Sequence, residues 1–192
     1  MICVILGAKK HDTRFAAAMR AALSAYFDLN AAPPELLLAD WQSLPMPHAA
    51  HTVWVCKDWV APPQKCDLFA ARTVAIVNSA NAVLLAHIAA IGLPAITCGF
   101  SARDTVTLSS MPHPHSTGAV VSFQRVVTRF DSSCAEPQEV PIPCLEASGG
   151  FSTAFAAMAA ASICLMADRA FMPTKIASDN CTSGDYTSNT NR

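Results

Sequence analysis

Two short polar stretches, each closing an apolar run, carry the residue types that could do chemistry. "GAKKHDT" (Gly7 to Thr13) places Lys9, Lys10 and His11 after an apolar run and just ahead of a helical pattern. Two ammonium groups before a helix start favour an anion, such as a phosphate or a carboxylate. "NSAN" (Asn78 to Asn81) closes a second apolar run and opens another helical pattern. Such a turn is where an α/β protein holds a ligand, but Ser and Asn are equally the residues that cap a helix start. The candidate ligand-binding residues are therefore Gly7, Lys9, Lys10, Asn78 and Asn81, and no residue is assigned a catalytic role.

Other chemistries lack a complete set of residues. No G-x-x-x-x-G-K-[ST] stretch exists to wrap a triphosphate in backbone N–H groups. No G-x-S-x-G exists either, and Cys98 before Gly99 has no recognisable base. His48 and His51, with His113 and His115, could gather as imidazoles around a metal. Both pairs lie in proline-rich stretches without an acidic or thiol partner at a fixed offset, so no metal and no cofactor are expected. Arg125 and Arg129, four apart on an expected strand, would share one face and could meet an acidic partner. Trp41, Trp54 and Trp59 flank proline-rich connectors and could line a groove, although core packing accounts for Trp54.

Composition narrows the classes further. Of 192 residues, 52% are hydrophobic and 14% charged, which favours a packed core over disorder. A formal net charge of −1, with no basic run, gives no reason to expect nucleic acid or an anionic membrane surface. Eight cysteines form no C-x-x-C pair, and four of them (Cys3, Cys56, Cys98, Cys164) sit in apolar runs as small hydrophobes. The opening "MICVILGAKK" is too short and has its charges on the wrong side for a signal peptide, so a cytoplasmic chain with reduced thiols is expected. "FSTAFAAMAAASICLMA" (151–167) is uncharged but short for a span and rich in Ala, which favours a buried helix over a membrane one.

These residues need elements to position them. Apolar runs at 2–6, 36–39, 52–56, 73–77 and 95–99 read as strands. Phe15, Met19, Ala22, Leu23 and Tyr26 fall at helical spacing after an Asp12 or Thr13 cap. A second helix runs from about Asn81 to Ile91 and stops at Gly92. Alternating strands and helices predict an α/β fold: a mainly parallel Rossmann-like sheet flanked by helices. After Gly99 the sequence turns β-rich without helices, which predicts an antiparallel β-meander as a small lobe or sheet extension, then an apolar helix. The expected layout is a single α/β domain over 1–170, with its parallel β/α part in 1–100, its meander in 101–145 and its helix in 148–170. The polar tail 173–192 is expected to be disordered.

The order of pieces from 73 to 170 resembles the later half of the central, ATP-binding domain of the Mur ligases, which build the peptide stem of peptidoglycan. The matching residues are Asn78 to Asn81, then Gly99 and Phe100, then Gly149 to Ala160. The departures bear on activity. Ala80 and Asn81 stand where the family's paired aspartates would be, and Phe151 and Ser152 where its His–Asn pair would be. Amides cannot replace two negative charges beside a cation. The resemblance thus implies a non-catalytic relative that binds a partner or a cell-wall precursor. Two alternatives stay open: a small-molecule-binding enzyme of nucleotide-fold type using residues 7–13, and a protein-interaction module around Gln124 to Arg129.

Overall fold

The computed structural model describes residues 1–8, 12–24, 26–27, 36–40, 50–58, 73–110, 118–143 and 150–168. Thus Lys9, Lys10 and His11, the histidines 48, 113 and 115, Trp41, Trp59, Gly149 and the tail 173–192 lie outside the described residues. The strands are β1 (Ile2–Gly7), β2 (Leu36–Asp40), β3 (His51–Cys56), β4 (Thr73–Asn78), β5 (Ala95–Gly99), β6 (Val106–Ser110), β7 (Gly118–Phe123), β8 (Val127–Thr128), β9 (Cys134–Ala135) and β10 (Gln138–Pro143). The helices are α1 (Thr13–Ser24), α2 (Ala82–Ala90) and α3 (Gly150–Met166).

One sheet runs in the order β2-β1-β3-β4-β5-β6-β7-β10. Its first six strands are mutually parallel, and β7 and β10 add on antiparallel. The fold is Rossmann-like α/β, as the alternation of elements predicts. The meander does not stand apart: β6, β7 and β10 extend the main sheet, and among the described residues only β8 and β9 form a separate two-stranded piece. Pro141 and Pro143 sit on β10, the edge strand among the described residues, which is where a sheet tolerates proline.

The central strands are apolar nearly throughout because helices cover both faces, so each second residue feeds a different core. Val4, Leu6, Val53, Val55, Ile76, Ile96 and Cys98 join one core with α1 and α3. Cys3, Ile5, Trp54, Cys56, Ala75 and Val77 join the other, under Leu84 and Ile88 of α2. On α1, Phe15, Met19 and Leu23 are buried at the expected four-residue spacing. At the far end of α2, Gly92 takes φ +68°, the left-handed turn that suits glycine and ends the helix.

Helix α3 is buried on every side from Ala154 to Met166. Its alanines let it lie against α1 and the sheet together, with Phe155 set against Phe15 at 5.8 Å between ring centres. Its one buried polar group, the Ser162 hydroxyl, donates to the Met158 carbonyl at 2.8 Å and so costs little to bury. Among the described residues no helix is long and apolar enough to cross a membrane. One expected strand is shorter than predicted. β7 ends at Phe123 and β8 begins at Val127, so Arg125 and Arg129 do not share a strand face. Arg129 instead reaches the Ser133 hydroxyl and lies 3.2 Å from the Asp168 carboxylate, tying the β8–β9 turn to the end of α3.

Phe155 is the place to test this packing. Phe155→Ala should cost about 3–5 kcal/mol, the usual range for emptying an aromatic site in a rigid core. Urea denaturation followed by circular dichroism measures it, and a loss below about 1 kcal/mol would contradict an α3 locked against α1.

Candidate functional site

The strands β1, β3, β4 and β5 all end on one edge, and there the polar residues gather. The order β2-β1-β3 means that the chain leaves β1 toward one side and later returns on its other side. In open α/β sheets, ligands bind at such a reversal, outside the carboxyl ends of the two strands. The residues at this point are Gly7 at the end of β1 and Ala8 after it, Asp12 ahead of α1, Lys57 and Asp58 after β3, and Asn78 at the end of β4.

Lys57 holds these together. Its backbone N–H donates to the Gly7 carbonyl at 2.9 Å, and its own carbonyl accepts from Asn78 Nδ2 at 3.3 Å. Its ammonium donates to Asp12 Oδ2, stands 3.6 Å from Asp58 Oδ2 and lies 5.4 Å from the centre of the Phe15 ring. Asp12 works twice, because its Oδ1 also accepts the Phe15 N–H at 3.0 Å and caps α1. A carboxylate of the chain itself thus occupies the helix N-terminus that the sequence offers to an anion.

Partial burial alone would raise the Asp12 pKa. The hydrogen bonds from Lys57 and the Phe15 N–H, with the charges of Lys57 and Arg14, outweigh burial and hold it below the usual carboxylate value. Gly7 is fixed by space: a methyl there would lie 2.9 Å from Trp54 Nε1 and 3.4 Å from the Cys56 sulfur. Strand β1 therefore ends in glycine so that the indole can pack beneath it.

The NSAN turn is braced from within. Asn78 Oδ1 accepts the Ala80 N–H at 3.0 Å, and Asn81 Oδ1 accepts the Leu84 N–H at 3.1 Å as the N-cap of α2. The Ser79 N–H donates to the Cys98 carbonyl at 3.0 Å, which pins the turn to the end of β5. Each side-chain oxygen of the two asparagines has a backbone partner, so the turn's residue types are accounted for by helix capping and strand closure. Of the five candidate residues, Gly7 and Asn78 are joined through Lys57, Asn81 stands at the head of the next helix, and Lys9 and Lys10 lie outside the described residues.

Beyond β5 the chain makes an unusual step. Parallel neighbours are normally joined by a long crossover, yet only residues 100–105 separate β5 from β6. The register explains it, since β6 pairs with β5 only through Cys98–Val106 and Gly99–Thr107. The strand moves sideways and continues onward rather than returning. Leu108, Ser109 and Ser110 reach past the end of β5, by about 10 Å at ~3.3 Å per residue. The β6–β7 pair thus rises beside the carboxyl edge as a wall.

The step is made by a tight polar turn. The nearly buried Asp104 (4% exposed) accepts the Ser101 N–H at 2.9 Å through Oδ2. Thr97 Oγ1 accepts the Thr105 N–H, also at 2.9 Å. Gly99 sits between Ser79 and Asp104, where an added Cβ would fall 2.2 Å from Ser79 Oγ and 2.4 Å from Asp104 Oδ2. Cys98 is fully buried beside this turn, in surroundings that disfavour a thiolate. Burial pushes its thiol far up, a hydrogen bond with Ser162 offsets part of that, and the Asp104 charge adds to it.

Sequence reasoning missed Lys57, Asp58 and Asp104 as members of this edge. The available signal was "CKD" at the end of an apolar run, a charged pair where a parallel strand leaves the core. No protein-family model matches this sequence, and no curated protein does either.

Two outcomes test this geometry. Asp12→Ala removes both cap and ion pair and should cost about 1–2 kcal/mol, whereas Asp12→Asn keeps a capping oxygen and should cost roughly 1 kcal/mol or less. Because folding lowers the Asp12 pKa, the pair's contribution is whole above the unfolded carboxylate value of about 3.9 and fades as pH falls through the lower folded value. The stability gap between wild type and Asp12→Asn, read from denaturation midpoints, should therefore be widest near neutral pH and close in acid. Gly99→Ala should cost about 1–3 kcal/mol, since the methyl must displace Asp104 from the Ser101 N–H. An unchanged melting temperature for that variant would contradict the crowding at Gly99.

Proposed function

We propose that this chain is a non-catalytic Mur-ligase-like protein, a pseudoenzyme that holds a partner or a cell-wall precursor at its carboxyl edge without transferring phosphate. The observation that carries this reading is the wiring of the NSAN turn. Asn81 spends its side-chain oxygen on the Leu84 N–H and Ala80 has no side-chain oxygen to offer, where an ATP-dependent ligase of that family needs carboxylates turned toward a metal ion. The ammonium at the β1–β3 reversal is likewise engaged by Asp12 and Asp58. Peptidoglycan precursors are the ligand class that the resemblance implies.

The full chain, incubated with Mg-ATP and muropeptide precursors, should release no ADP above background, and calorimetry should register no magnesium-dependent nucleotide uptake. A precursor that binds should raise the melting temperature, by the equivalent of about 2.7 kcal/mol at a hundredfold excess over its dissociation constant. Turnover that disappears in Asn78→Ala would overturn the non-catalytic reading.

A second reading is favoured by the strand order: a small-molecule-binding protein of nucleotide-fold type, with its ligand at the β1–β3 reversal. Lys9 and Lys10, which directly follow Gly7 and Ala8, would supply the positive charge, and Asn78 and Asn81 the neighbouring turn. Here inorganic phosphate or citrate should stabilise the chain in a thermal-shift titration, and Lys9→Ala with Lys10→Ala should weaken that effect at least tenfold. Equal stabilisation of wild type and the double variant would remove this reading and leave the first intact.

A further inference from the structure

We draw no further inference here: the strongest candidate, the uncharged outward face of α2 formed by Ala82, Val83, Ala86, Ala90 and Ile91, carries nothing because nothing in the structure shows what covers it.

Discussion

The carboxyl edge is organised around the main chain and ammonium of one residue, Lys57. Three strand and helix ends, all remote from Lys57 in sequence, meet on it: the end of β1 through the Gly7 carbonyl, the head of α1 through Asp12, and the end of β4 through Asn78. A parallel sheet leaves its strand ends with backbone groups that the ladder no longer satisfies, and a buried orphan of that kind costs about 1–3 kcal/mol. Here the Gly7 carbonyl and the Lys57 carbonyl both find partners within this knot. The same side chain neutralises the carboxylate that caps α1, so the helix start, the strand ends and the charge balance are solved together.

Helix α3 meets a different constraint, that of space. A helix buried on all sides cannot carry a polar face, and its sequence consequently has almost no amphipathic signature. Alanine serves because it brings a good helix former close to two neighbours at once, while Phe155, Met158, Ile163 and Met166 supply the bulk that fills the core. The same lack of polarity that could suggest a membrane segment is here the consequence of lying between α1 and the sheet.

Much of this architecture was legible in the sequence. The five apolar runs, the Phe15–Met19–Leu23 stripe and the Gly92 stop all follow from local rules, as does a cap at Asp12 or Thr13 and at Asn81 or Ser79, of which the structure uses Asp12 and Asn81. What was not legible depends on partners far away in the chain. Asp12 and Lys57 are 45 residues apart, and no periodicity says that they meet. The β6 strand reads as alternating residues, but alternation fixes which face a side chain takes and not which neighbour a strand pairs with. Hence the two-residue overlap with β5 was invisible, and the meander was equally compatible with a separate lobe. The Arg125–Arg129 pairing failed for a related reason: a strand pattern runs through "SFQRVVTRF", yet the ladder stops at Phe123 and the chain turns away.

Electrostatics at the edge bears on what any ligand there would meet. Asp12, Lys57 and Asp58 carry a net charge of −1 between them at the reversal between β1 and β3, and Arg14, whose charge also acts on Asp12, offsets it. A triphosphate brought to that point would face two carboxylates, one of them already at the N-terminus of α1 where a phosphate gains most from the helix dipole. To use Lys57 it would first have to displace Asp12, giving up a charge-assisted hydrogen bond and exposing the cap. A neutral or zwitterionic ligand meets no such penalty, because it can bond to the carboxylates without forcing the ion pair apart. Any anion bound here must therefore draw its positive charge from residues beyond this trio, and Lys9 and Lys10 are the closest in sequence to the end of β1.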